Sequence, residues 1–167
     1  MLNVMILGNS GSGKTTAAEM MAKLLGSPPP RNCSDFIIED YAVENTDSPM
    51  KALNLSKKIL ANKGDYRKKL FEYGLKRQAS DPAYPVSEAF RHTNVVTGVR
   101  TPENLAATRK IIKDLVVVWI ERSKSGKGST DKLGPEDADI VINNDGTFED
   151  LEKKLMAMLV NSSKRLM

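Results

Sequence analysis

Apolar positions along this 167-residue chain follow two rhythms. Short unbroken apolar runs lie at Met1–Leu7 and Leu115–Ile120, with strand-type patterning again at Thr93–Val99 and Ala138–Ile142. Runs of this kind mark strands buried on both faces. Arg31–Ser34 is expected to add one very short strand. Between them the spacing turns helical: Thr15–Leu25, a stretch through Phe36, Ile37, Ile38, Tyr41 and Ala42, then about Met50–Asn62, Asp65–Ala79 and Val86–Arg91. Two further helices are expected, one from Thr101 to about Ile112 and one over Thr147–Leu159 with Leu151, Leu155, Met158 and Leu159 on a single face.

Punctuation supports these bounds. Gly26-Ser27-Pro28-Pro29-Pro30 cannot continue a helix, Gly64 separates two others, and Asp81-Pro82-Ala83-Tyr84-Pro85 ends the third. Ser34 or Asp35 reads as the cap of the second helix, and Thr101-Pro102 as cap and first residue of a later one. Arg122–Pro135 is polar, contains three glycines and reads as a loop. Strands alternating with helices at both ends imply a parallel α/β sheet of five strands. An all-helical stretch at about 40–91 interrupts the alternation inside a single domain, 1–167.

The most specific chemistry sits where the first strand meets the first helix. Gly8-Asn9-Ser10-Gly11-Ser12-Gly13-Lys14-Thr15 fits G-x-x-x-x-G-K-[ST] at every fixed position, in the strand–loop–helix context the motif needs. Three glycines let the loop bend so that successive N–H groups, Thr16 among them, face an anion at the helix N-terminus. Lys14 then reaches the β- and γ-phosphates and the Thr15 hydroxyl ligates Mg²⁺. The implied ligand is a nucleoside triphosphate.

Composition excludes more than it selects. No apolar run approaches the roughly 20 residues of a membrane span, so no membrane partner is expected. The chain opens directly on a strand, without an apparent leader. Cys33 is the one cysteine, so no internal disulfide framework exists, and no Cys/His cluster suggests zinc. A reducing, cytoplasmic setting follows as the expectation. His92, the one histidine, reads as structural. Nothing marks Cys33 as reactive.

Charge becomes informative once located. The overall +4 conceals nine cations between Lys51 and Arg77 against only Asp65 and Glu72, a local excess of +7 that leaves the remainder at −3. Two readings compete: amphipathic helices with solvated basic faces, or a surface for a phosphate-rich partner such as DNA, with steep salt dependence.

Four segments resemble the phage-type deoxynucleoside monophosphate kinases and the related kinases of 5-hydroxymethyluracil in phage DNA; dephospho-CoA kinases share the layout. The segments are the glycine loop, Cys33-Ser34-Asp35, Val95-Val96-Thr97-Gly98-Val99-Arg100, and Glu136 to Thr147. A weaker match is Tyr73-Gly74 with Asp81-Pro82-Ala83-Tyr84. The resemblance implies the P-loop NTPase fold with an acceptor-binding insertion at about 40–91, use of ATP and Mg²⁺, and adenine resting against the connection that carries Asn144 and Gly146. The acceptor it implies is a hydroxymethylpyrimidine in DNA, narrowly preferred, or a free deoxynucleoside monophosphate. The setting would be the host cytoplasm if the chain is phage-encoded.

One departure bears on mechanism. Where many members carry Asp-x-Arg after the third strand, this chain has Gly98-Val99-Arg100. Asp35 is the best replacement carboxylate, as base, metal ligand or helix cap. Arg100 at a strand end is placed to clamp a phosphate. Arg122, directly after the fourth strand, has the same logic, and Lys124 and Lys127 on the glycine-containing loop are candidates to close over the triphosphate. A nucleotide-dependent switch is the competing class, but no Asp-x-x-Gly follows a strand to sense the γ-phosphate.

Overall fold

The computed structural model describes residues 1–126 and 132–166, with the side chains of 164–166 outside the description. Five strands form one parallel sheet: β1 (Asn3–Gly8), β2 (Arg31–Asn32), β3 (Val95–Thr97), β4 (Leu115–Glu121) and β5 (Ile140–Asn143), in the order β2-β3-β1-β4-β5. Every pairing is parallel, with Ile6 beside Thr97 and Gly8 beside Ile120.

Alternation along these strands sorts side chains into two cores. Val4 and Ile6 of β1, Val95 of β3 and Val118 and Ile120 of β4 point to one face. There they meet Ala17, Ala18 and Met21 of α1 (Lys14–Leu25) and Leu151, Leu155 and Met158 of α7 (Phe148–Leu166). The intervening Met5, Leu7, Val96, Val117 and Trp119 point to the other face. They pack on α2 (Cys33–Glu44), α5 (Val86–Ala89) and α6 (Pro102–Ile111). Both faces are covered, which is why the strands read as unbroken apolar runs.

Helix ends follow local chemistry. Gly26 takes a left-handed conformation (φ 61°), and the amides of Gly26 and Ser27 return to Lys23 and Ala22. Thr101 caps α6 through the Asn104 amide, with Pro102 first in the helix. At α7, Thr147 and Asp150 bond each other's amides reciprocally. At α2 the expectation fails. The strand ends at Asn32, Cys33 is already helical, and Asn32 is the cap, accepting from the Ser34 amide at 3.0 Å and hydroxyl at 2.9 Å. Asp35 lies instead within the first turn.

Between β2 and β3 the chain is all helix: α2, α3 (Pro49–Ala61), α4 (Lys63–Ser80) and α5. This is the interruption seen in the sequence. Its helices α3 and α4 both pack on α2. The inward turn of α4 carries Tyr73 and Arg77. Arg77 reaches Glu44 (3.1 Å) and Asp40 (3.6 Å) of α2 and lies 4.8 Å over the Tyr84 ring. No described helix is long and apolar enough to cross a membrane.

Candidate active site

The parallel strands bring five connections to one edge of the sheet: 8–13, 33–35, 98–101, 122–126 and 144–147. From β1 the chain leaves to α1 on one face; from the neighbouring β3 it leaves to α6 on the other. Their carboxyl ends therefore flank the crevice where open α/β sheets bind ligands.

On one side of that crevice is the glycine loop. Gly13 is left-handed (φ 91°) and immediately precedes α1, so the first amides of the helix face out of the loop. A side chain at 13 would collide with the Asn144 amide nitrogen, which donates to the Ser12 carbonyl at 2.9 Å. Lys14 lies along the loop, its Nζ donating to the carbonyls of Gly8 and of Asn9 (2.8 Å). Ser12 Oγ is fully buried and has no hydrogen-bond partner among the described residues. Buried hydroxyls are rarely left so, and this one sits inside the cradle. Thr15, the first-turn hydroxyl, is exposed, and Thr16 is half-buried behind it.

Asp35 stands across the crevice. Because β3 separates β2 from β1, it is two strand spacings, about 10 Å, from the line of β1. Its half-buried carboxylate takes part in no hydrogen bond or ion pair among the described residues. It is not spent on capping, which Asn32 does.

The departure at Gly98 has a physical reason. Gly98 is left-handed (φ 87°), and a Cβ there would strike the Asn32 carboxamide oxygen that caps α2. An aspartate at 98 and the Asn32 cap are mutually exclusive in this geometry. Arg100 follows at the exposed end of β3, its carbonyl accepting from the Lys132 amide at 3.2 Å.

Arg122 leaves β4 directly and is exposed. Its carbonyl accepts from the Ser125 amide (3.0 Å) and hydroxyl (2.7 Å), making a turn that carries Lys124, and Gly126 then pairs with Ser10 of the glycine loop. Lys127 lies outside the described residues. Asn144, expected near adenine, donates its side chain to the glycine loop, while Gly146 packs against the Asp150 carboxylate. Asp145, not among the site residues expected from sequence, accepts from the Ser123 amide (2.9 Å) and the Asn143 side chain (2.7 Å). These bonds hold its carboxyl at about 2, below the usual range. Its place in Asn143-Asn144-Asp145-Gly146, a strand-to-helix turn, is the signal that could have found it.

Two further residues are engaged in packing. His92 stacks on Phe36 (5.5 Å) and faces Glu88 (3.3 Å). Cys33 is buried among Met5, Leu7 and Val96, and burial pushes its thiol up, away from reactivity.

The site's donors fit Mg²⁺ only in part. Thr15 and Asp35 carry hard oxygen atoms of the kind Mg²⁺ takes, and no group of three metal-binding side chains occurs among the described residues. That matches an ion held mainly by phosphate and water.

No protein-family model matches the chain, and no curated protein does. Solved structures do. Shikimate kinase from Aquifex aeolicus vf5 is 19% identical over 97% of this chain and 98% of its own, with a TM-score of 0.50. APS kinase CysC from Mycobacterium tuberculosis, in complex with AMPPNP and APS, is 15% identical over 95% of this chain and 96% of its own, with a TM-score of 0.52. At such identities the likeness is one of fold. The chain has the α/β fold of these kinases, a five-stranded parallel sheet flanked by helices.

Proposed function

We propose that this chain is an ATP-dependent phosphotransferase acting on a deoxynucleotide-type acceptor. The observation that carries the reading is that the Lys14 loop after β1 and the Asp35 carboxylate after β2 stand at the same end of the sheet, two strand positions apart. A triphosphate sensor needs only the first half of that arrangement; a group transfer needs both. The whole-chain likeness in fold to a kinase solved with AMPPNP supports nucleotide use.

In the proposed reaction an acceptor oxygen forms a bond to the γ-phosphorus as the bond to the β-bridging oxygen breaks, and ADP leaves with that electron pair. Where the acceptor is a hydroxyl, its proton passes to Asp35. Lys14 and the loop amides hold the triphosphate and neutralise charge spreading over the equatorial oxygens. Mg²⁺, when bound at Thr15 and Asp35, would supply further charge neutralisation. Arg100 and Arg122 are the cations proposed to orient phosphates from the strand ends.

The preferred acceptor is the hydroxymethyl group of 5-hydroxymethyluracil in DNA. Lys57, Lys58, Lys63, Arg67, Lys68, Lys69 and Lys76 all stand exposed on α3 and α4, more cations than one mononucleotide phosphate requires. The base would have to leave the stack to reach the γ-phosphate. A deoxynucleoside monophosphate acceptor is the second reading. It is favoured by the pairing of Lys51 with Asp47 (2.7 Å) and Lys68 with Glu72 (4.0 Å), ordinary pairs of a solvated helix.

Transfer of γ-³²P from ATP to a panel of free deoxynucleotides and of plain and hydroxymethylated DNAs tests this. Label on hydroxymethylated DNA supports the preferred acceptor, and label on a free nucleotide supports the second. ADP and inorganic phosphate alone would make the protein a switch and end the transferase reading.

A further inference from the structure

The three loops around the glycine cradle form a closed circuit. Ser10 pairs with Gly126, so the cradle holds the loop after β4 four residues beyond Arg122. Asp145 takes the Ser123 amide, so the turn after β5 holds that loop's near end. Asn144, one residue earlier, donates to the Ser12 carbonyl and returns the circuit to the cradle. The turn is pinned at its first peptide: the Asn144 amide donates to the Glu121 carbonyl at 2.7 Å, and Lys154 of α7 donates to the Asn143 carbonyl at 2.8 Å. Asp145 is exposed and buries nothing, yet it is tied by the 2.9 and 2.7 Å bonds to Ser123 and Asn143. Such a side chain contributes little to a core. What it fixes is the course of the chain through Arg122, Ser123 and Lys124.

We propose that Asp145 is a positioning residue for the nucleotide: it latches the loop after β4 so that Arg122 addresses the triphosphate, and it does so without touching the ligand. The inference rests on the nucleotide reading of the site. Its carboxylate serves Arg122 twice, through the neighbouring Ser123 amide and through its charge, which attracts the Arg122 guanidinium. Two further charged neighbours of the turn are Lys154 on α7, with its ammonium committed to the Asn143 carbonyl, and Asp150, committed to the Thr147 amide. Neither competes for Ser123.

The test is a double-mutant cycle on ATP affinity, by calorimetry on the full chain, with Asp145→Ala, Arg122→Ala and both together. Loss of a charge-assisted bond and of the ordered loop is expected to raise the Kd for ATP about tenfold in Asp145→Ala. Arg122→Ala should then add little on top of it, because its side chain is already mispositioned. Asp145→Asn keeps an acceptor oxygen for the Ser123 amide and should recover part of the loss. Near neutral pH the melting temperature should fall only slightly in each variant, far less than a tenfold loss of ATP affinity through unfolding would need, as befits an exposed side chain. An Asp145→Ala variant that binds ATP like the parent, or effects of the two substitutions that simply multiply, would overturn the latch while leaving the nucleotide reading intact. A parent that binds no ATP overturns both.

Discussion

The two sides of the crevice are built on different principles. Around the cradle, position is fixed by backbone and short polar side chains: Gly13 against Asn144, Ser10 against Gly126, Asp145 on the Ser123 amide. In the helical insertion, α4 is tied to α2 by long side chains, Arg77 reaching Asp40 and Glu44 and lying over the Tyr84 ring. It also leaves much unpartnered chemistry in view, with Met50, Leu53, Leu60, Phe71 and Leu75 exposed among the lysines of α3 and α4. A triphosphate is the same in every enzyme of such a fold and can be met by geometry. An acceptor differs from one enzyme to the next, and a helical surface accepts substitution without disturbing the sheet. The cradle is where single changes should be ruinous; the insertion is where they should be graded.

The sharpest break is Lys14→Ala. Transfer should fall at least about a thousandfold, since a preorganised charge on the migrating group is removed, while the melting temperature barely moves. Retention of more than a few per cent of activity would remove the cradle from the chemistry. Asp35→Asn comes next, with kcat expected to drop about a hundredfold and ATP affinity to hold. Normal turnover with lowered thermal stability would return Asp35 to a purely structural part.

On the insertion, replacing Lys57, Lys58, Lys68 and Lys69 by Glu should raise the KM for DNA about tenfold or more. Its salt dependence should flatten by roughly 0.9 in log–log slope for each duplex phosphate that is no longer neutralised. ATP affinity should be unchanged. An unaltered salt slope would assign the acceptor to free nucleotides. Gly98→Asp should cost about 1–3 kcal/mol through its left-handed backbone and its collision with Asn32, and Asn32→Ala in the same chain should recover part of it. Equal melting temperatures with and without Asn32→Ala would separate the two residues.

The smallest effect concerns acid. Asp145 is held at about 2 in the folded protein, below its ordinary value of 3.8. A depressed carboxylate stabilises above its unfolded value and loses that contribution as pH falls through the folded one. The small difference in melting temperature between the parent and Asp145→Asn should therefore be constant above about pH 5 and shrink toward pH 2. A difference that persists at pH 2 would contradict the bonding at this turn.

By itself the sequence determined most of the elements and the cradle, although Asn62 and not Gly64 separates α3 from α4. Unbroken apolar runs specified doubly covered strands, Gly26 and the prolines stopped α1, Thr101 and Thr147 capped their helices, and Gly8 to Thr15 declared a phosphate loop. All of these follow from interactions between near neighbours in the chain, where sterics and periodicity leave one solution. Tertiary structure decided what distant segments do to one another. It placed β3 between β1 and β2 and so moved Asp35 away from the cradle's own flank. It gave the α2 cap to Asn32, whose carboxamide leaves no room for a side chain at 98. It turned Arg77, one of nine cations in the basic stretch, inward onto carboxylates and an aromatic ring. It joined Asn144 to Ser12 across 132 residues of chain. Each is a competition for one volume or one hydrogen bond between residues far apart in sequence, and only the packed chain settles which of them wins.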